Sequence, residues 1–228
     1  MKTLVAITTC KLRRAWANSQ RQTWIKDSPV DVRFFIGDNS LDEAKEDGDV
    51  VLLPCRDDYQ HLPIKVQLAA YWALLNGYDY MFKCDDDVYL RPERLSGISG
   101  DYVGRYQEPR HGVPGGFCFG FFYSLSKKAL GKIVQAKPPD VTAEDVWVAN
   151  TLYKSGIVGQ HDSRFIMTGG KSQHLMLDTP KAFNDIIAVA EYKDMNEPHN
   201  IWLRSLEEWD KVTKNVLSEW DATNALLI

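Results

Sequence analysis

Apolar positions in the first half of the chain fall into short unbroken runs, separated by longer stretches where they recur every three or four residues. Thr3–Thr8 predicts a buried strand, Arg13–Trp24 a polar-faced helix, Val32–Ile36 a second strand closed by Gly37-Asp38-Asn39, and Val50–Leu53 a third, stopped by Pro54. A helix follows, with Pro63 in its first turn. Ile64, Leu68, Tyr71 and Leu75 share one face of it, and Asn76-Gly77 forms its stop. Tyr80–Cys84 predicts a fourth strand. Strands alternating with helices imply an α/β fold with a mainly parallel central sheet covered on both faces.

The second half is less regular. Tyr102–Arg105 and the glycine- and phenylalanine-rich Gly115–Ser126 read as strands, Lys127–Ala136 as a short helix, and Thr142–Ser155 as a longer one closed by Gly156. Trp202, Leu206, Trp209, Val216, Leu217 and Trp220 recur at helical spacing and predict an amphipathic C-terminal helix. No repeat or linker interrupts the pattern, so residues 1–228 are expected to form a single domain.

With 44% hydrophobic and 25% charged residues in 228, the composition supports a substantial core and excludes a disordered chain. The net charge of -4 means that a polyanionic partner would need a local basic patch. Lys11, Arg13, Arg14, Arg91, Arg94, Arg105 and Arg110 could supply one, or could be scattered surface charges. Cys10, Cys55, Cys84 and Cys118 lack metal or redox spacing. Three of them sit in or beside apolar runs, as buried reduced thiols would. No apolar run approaches the roughly 20 residues of a membrane span, and Met1-Lys2 leads directly into the first strand. The expectation is a cytoplasmic protein.

The residues with most chemistry are Asp85-Asp86-Asp87, directly after the fourth strand. Alternation along a strand sends Asp85 and Asp87 to one side and Asp86 to the other. Adjacent carboxylates repel, and burying them unpaired is costly; a divalent cation removes that cost. Oxygen-only ligands select Mg²⁺ or Mn²⁺ over zinc, with open positions suited to phosphate oxygens. Ligands of open α/β sheets bind beyond the carboxyl ends of the strands, where the triplet falls. Asp57-Asp58, by contrast, reads as a solvated acidic pair.

Six segments, taken in order, resemble the β-1,3-galactosyltransferase and Fringe group of glycosyltransferases, which have the GT-A fold. Arg21-Gln22-Thr23-Trp24 is similar to that group's Arg-x-Thr-Trp. Asp58-Tyr59-Gln60-His61-Leu62-Pro63-Ile64-Lys65 is similar to its Asp-x-Tyr-x-Asn-Leu-Thr-x-Lys, with His61 and Pro63 departing from it. Phe82-Lys83-Cys84-Asp85-Asp86-Asp87-Val88 matches its Lys-x-Asp-Asp-Asp-Val core. Tyr123-Ser124-Leu125-Ser126, Glu144-Asp145-Val146 and Gln173-His174-Leu175 resemble its Tyr-Val-Leu-Ser, Glu-Asp-Val and His-Leu elements. The glycine run that precedes Tyr-Val-Leu-Ser in the family is reduced here to Gly120, with Gly115-Gly116 further upstream. Family members commonly carry a membrane anchor; its absence before the first strand points to a bacterial or viral relative.

The resemblance implies a metal-dependent, inverting transfer of a sugar from a nucleotide-sugar, a UDP-sugar first, to an acceptor hydroxyl. Asp87 is then the principal metal ligand, with Asp85 and Asp86 shared between the metal and the nucleotide, and His174 a further metal ligand or else a loop histidine; His161 is the alternative. Asp145 is the candidate general base, or instead a helix-opening cap. Thr8, Thr9 and Arg21 are expected beside the nucleotide, although Arg21 could simply pair with an acidic neighbour on its helix. Lys65 supports the site or is a solvated helix lysine. Trp24 reads as core. The acceptor is a glycan or small carbohydrate, or a modified DNA base. Two other classes compete: a nucleotide-sugar binding module without turnover, and a Mg²⁺-dependent phosphoryl or nucleotidyl transferase. The latter is weakened by the lack of a G-x-x-x-x-G-K loop.

Overall fold

The computed structural model describes residues 1–110, 112–137, 143–167, 186–190 and 199. In chain order the elements are β1 (Thr3–Thr8), α1 (Arg14–Gln22), β2 (Asp31–Gly37), β3 (Lys45–Asp47), β4 (Val50–Leu53), α2 (Leu62–Leu75), β5 (Tyr80–Asp85) and β6 (Tyr89–Leu90). There follow β7 (Tyr102–Gln107), β8 (Phe117–Ser126), α3 (Lys127–Gln135), α4 (Glu144–Tyr153), β9 (Gln160–His161), β10 (Phe165–Met167) and β11 (Ala188–Ala190). Short 3₁₀ turns at Lys11–Arg13 and Tyr59–His61 introduce α1 and α2. The expected C-terminal helix lies outside the described residues.

Eight strands form one sheet in the order β3-β4-β2-β1-β5-β8-β7-β9, and β10-β11-β6 form a smaller one. Strands β4, β2, β1 and β5 are mutually parallel, whereas β8 is antiparallel to both β5 and β7. The result is a GT-A-like α/β fold. Its central strand β1 is apolar on both sides. Leu4 and Ala6 face a core shared with α2, α3 and α4, while Val5 and Ile7 face a second core with Ala17 of α1, Phe34, Phe82 and the small sheet. A strand buried on two faces must be a continuous apolar run, which is why its alternation is invisible in sequence.

Local signals end the elements. Ser126 caps α3 by accepting the Ala129 N–H at 3.3 Å, and Gly77, with φ of 74°, takes the left-handed turn after α2. Pro63 sits in the first turn of α2, as expected.

The buried face of α2 differs from the sequence expectation. Tyr71 and Leu75 are 50% and 67% exposed, while Val66, Ala69, Ala70, Trp72 and Ala73 carry the packing, and Ile64 and Leu68 are only half-buried. The helix is apolar around most of its circumference, so periodicity alone selects no face. Its alanines form the flattest surface, which lets it lie closest to the sheet. The charged edge strand β3 (Lys45-Glu46-Asp47) also went unread, because it exists through its ladder with β4 and buries nothing. All four cysteines are free thiols, and Cys55, Cys84 and Cys118 are buried.

Two substitutions on α2 separate the expected face from the observed one. Ala70→Leu overpacks the core and is expected to cost about 1–3 kcal/mol. Leu75→Ala should stay within about 0.5 kcal/mol of the parent. Urea denaturation midpoints measure both.

Candidate active site

The register of β1 and β5 places Thr8 directly beside Asp85 at the carboxyl end of the sheet. Two threonines then meet two of the three aspartates. Thr8 Oγ1 donates to Asp85 Oδ1 at 3.2 Å, and Thr9 Oγ1 donates to Asp86 Oδ2 at 2.7 Å. Asp86, in the turn just past β5, points inward and is 1% exposed. Its second oxygen accepts from Arg13 at 2.7 Å. Burial pushes its carboxyl upward, opposed by Thr9 and Arg13. Asp87 shares the outward side with Asp85 and, among the described residues, makes no ion pair. Burial, followed by repulsion from Asp85 and Asp86, pushes its carboxyl up to about 6.

Lys83, two residues before the triplet, is buried inside β5. Its ammonium donates to Asp85 Oδ1 and to the Gly120 carbonyl on β8, and lies 3.7 Å from Glu144 Oε2 at the start of α4. Burial works against that charge, yet Asp85 and Glu144 outweigh it and hold the ammonium up. The Tyr123 hydroxyl donates to the other Glu144 oxygen. Burial raises the Glu144 carboxyl to about 7, against the pull of Lys83 and Tyr123.

Asp145 follows on the first turn of α4. Its Oδ2 accepts the Gly120 N–H at 3.3 Å and its Oδ1 accepts the Val146 N–H at 2.8 Å. Gly120 therefore joins the two halves of the site, its carbonyl on Lys83 and its N–H on Asp145. A Cβ at this position would come within 3.2 Å of Glu144 Oε2 and 3.5 Å of the Asp145 Cβ. This glycine thus lies directly against the first turn of α4.

On the other flank, Lys65 is buried under the loop after β1. Its ammonium donates to the Thr9 carbonyl at 2.7 Å and to Asp57 Oδ1 at 2.8 Å. Asp57 also accepts the Gly37 N–H at 3.0 Å and the Lys11 N–H at 2.8 Å, tying the ends of β1 and β2 to α2. It is no solvated acidic turn. The residue below it, Asp58, caps the following 3₁₀ turn by accepting the His61 N–H at 3.0 Å. Between these supports lies a cleft of about 520 Å³, lined by Thr8, Thr9, Arg13, Asp57, Lys65 and the triplet, with Leu12 and Tyr59 exposed at its rim. Across the described residues no three His, Cys, Asp or Glu side chains converge into a ready-made metal cage.

Several expected site residues sit elsewhere. The Arg21 guanidinium forms a two-point pair with Asp49, at 2.7 and 2.9 Å, and stacks over Phe34 at 4.2 Å. It lines a separate cleft of about 330 Å³ between α1 and β2–β4, which adjoins the triplet's cleft only through Thr9 and Cys10. Asp49 lies on neither α1 nor the donor loop, so a helix-based reading of Arg21 could not have found this partner. Trp24 is buried in the core, as expected. His161 lies on β9, three strands from β5, roughly 14 Å by ordinary strand spacing. Its Nδ1 accepts the Tyr106 N–H at 3.2 Å. It is not a partner of the triplet. His174 lies outside the described residues. Thr142, the first residue of the expected helix-opening cap, also lies outside them; Ala143 precedes α4 without a side-chain cap.

Arg13, Asp57, Lys83 and Glu144 belong to the site and were not singled out for it in sequence. Lys83 did carry a signal: a lysine inside the apolar run Tyr80–Cys84 has to find buried counter-charges.

The unequal roles of the triplet are testable without any ligand. Asp86→Asn weakens a buried pair and is expected to cost about 1–3 kcal/mol. Asp87→Asn relieves repulsion and should leave the melting temperature unchanged or higher. A marked loss of stability in Asp87→Asn would contradict this assignment.

Residues 10–111 match the family model described as Galactosyltransferase. The chain is 37% identical over 98 residues to probable beta-1,3-galactosyltransferase 13 of Arabidopsis thaliana, a match covering 33% of this chain and 28% of that protein. It is 34% identical over 89 residues to hydroxyproline O-galactosyltransferase GALT2 of the same plant, covering 33% and 13%. A third match, 46% identical over 56 residues, is to probable beta-1,3-galactosyltransferase 12 of Arabidopsis thaliana, covering 24% and 15%. The chain thus aligns with less than a third of each relative's length. These relatives are plant proteins and lend no support to a bacterial or viral cytoplasmic origin. Among the described residues no helix is long and apolar enough to cross a membrane. The segment that matches the Galactosyltransferase family model, residues 10 to 111, holds the β1 loop, Lys65 and the whole acidic triplet of the GT-A-like fold.

Proposed function

We propose that this protein is a glycosyltransferase that moves a sugar, galactose first among the candidates, from a UDP-sugar to a hydroxyl of a glycan acceptor, with inversion. One observation carries the reading: Gly120 links Asp145 to the Lys83–Asp85 pair, so a carboxylate able to take a proton stands next to carboxylates able to hold a donor. The family match and the relatives' names support the same class of chemistry.

The triplet suits a hard divalent cation. Lys83 and Thr8 both bond to the same Asp85 oxygen, and Asp87 is left without an ion pair among the described residues. One or two carboxylates completed by phosphate oxygens and water is the usual coordination of Mg²⁺, and Mn²⁺ accepts the same oxygen set. Asp87 and Asp85 would hold the ion, and Asp86 would not, since both its oxygens are engaged inside the protein. When bound, such an ion supplies Lewis-acid stabilisation to a departing diphosphate.

The remaining roles fall to the chain's own residues. Arg13, half-exposed on the cleft and anchored on Asp86, places a permanent positive charge where a diphosphate would lie. Lys65 and Asp57 keep the β1 loop open as the floor of the nucleotide side. Asp145 takes the proton from the acceptor hydroxyl as the new bond forms on the sugar face opposite the leaving diphosphate. The basic residues that could have favoured a nucleic-acid acceptor are partly engaged elsewhere: Lys11 with Asp38, Arg13 with Asp86 and Arg91 with Glu93. That leaves a neutral glycan as the better acceptor.

Thermal-shift measurements with UDP-, GDP- and TDP-sugars, with and without Mn²⁺, test the donor. UDP-galactose at 100 times its dissociation constant with Mn²⁺ is expected to stabilise the fold by about 2.7 kcal/mol, a shift of roughly 5–10 °C. No shift with any nucleotide-sugar would sink the proposal. For the base, Asp145→Asn should melt within a few degrees of the parent while turnover falls about 10²–10⁴-fold. Radiolabel that follows phosphate instead of sugar into product would establish the phosphoryl-transfer alternative.

A further inference from the structure

Lys83 stands on a strand whose neighbours Met81, Phe82 and Cys84 are buried, and only 1% of its own side chain is exposed. Placing an ammonium there is expensive, and an apolar side chain of similar length would serve the strand better if packing were the sole requirement. Its contacts reach three separate elements: Asp85 at the end of β5, the Gly120 carbonyl in β8, and Glu144 on the first turn of α4.

We propose that Lys83 is a positioning residue that sets the N-terminus of α4, and with it Asp145, against the acidic triplet. The link is short and physical. Lys83 holds Gly120 by its carbonyl, and Gly120 holds Asp145 by its N–H. Lys83 also draws Glu144, the residue before Asp145, toward β5, and Tyr123 from β8 fixes the opposite oxygen of that carboxylate. Among the described residues helix α4 has no side-chain N-cap, and its first turn is held by these contacts with the sheet. On the other side Lys83 fixes one oxygen of Asp85. A single buried cation thereby sets the spacing between the donor carboxylates and the proposed base. The effect on turnover rests on the transferase reading; the effect on the placement of α4 does not.

Three proteins decide it: the parent, Lys83→Met, and the double variant Lys83→Met/Glu144→Gln. Lys83→Met strands a buried carboxylate, and its melting temperature is expected to fall by about 10 °C. The double variant removes both buried charges, leaves Asp85 with Thr8, and should recover part of that loss. Hydrogen exchange at the Gly120 amide, which donates from β8 to Asp145 of α4, then reports the helix position directly. In the folded double variant, exchange at this amide is expected to rise about tenfold or more. Its kcat for Mn²⁺-dependent hydrolysis of UDP-galactose should drop about 100-fold, with KM for UDP-galactose within about threefold of the parent. Recovery of melting temperature, amide protection and kcat together would show that Lys83 only balances the charge of Glu144, and the proposal would fail. If the double variant does not fold, Glu144→Leu removes the same contact from the helix side. Faster exchange at Gly120 is expected there, and unchanged exchange overturns the proposal. A parent protein that hydrolyses no nucleotide-sugar and gains no stability from one removes the transferase reading alone, because the exchange data still settle what Lys83 positions.

Discussion

Three consecutive carboxylates at the mouth of a buried strand repel one another, and much of the surrounding structure answers that repulsion. The answer is uneven. Asp86 is drawn inward to Thr9 and Arg13, Asp85 is fixed by Lys83 and Thr8, and Asp87 keeps its charge at a cost that only an external cation or a proton relieves. Stability is given up at one residue and recovered at its neighbours. Carboxylates perturbed in this way cluster at functional sites.

Neutralising the triplet also organises the flanking elements. Thr8 and Thr9 can reach the aspartates because β1 and β5 run parallel and in register, which puts their carboxyl ends side by side. Asp57 and Lys65 then hold the β1 loop in place from beneath. On the far side β8 runs antiparallel to β5, and its one glycine near the triplet admits the first turn of α4. The triplet's threonine partners and the first turn of α4 therefore approach β5 from opposite flanks, with Lys83 on the strand between them.

Much of this was legible in the chain. The strands at Thr3–Thr8 and Val50–Leu53 have the bounds their apolar runs suggest, because a fully buried strand announces itself by composition. Alternation separated Asp86 from Asp85 and Asp87 without saying which side is buried; Asp86 is the buried one. Errors arose where a residue's partner is remote in sequence. Arg21 is held by Asp49, which no helical spacing connects to it. Asp57 resembles surface acid until Lys65, Lys11 and Gly37 are folded around it. Tyr71 and Leu75 fit a helical stripe, but α2 packs by its alanines.

Taken alone, the sequence determined the order of the elements, the apolar core strand, the acidic triplet at the strand end and the family resemblance carried by it. Each of these depends on neighbours within a few positions. Tertiary structure decided which aspartates are engaged inside the protein and which has no ion pair among the described residues, because that depends on Arg13, Thr9 and Lys83 meeting the triplet from other directions. It also decided that Asp145 stands beside the triplet at all. Asp145 lies 58 positions after Asp87, and the closure of β8 and α4 over Gly120 is what brings the two distant acidic motifs together.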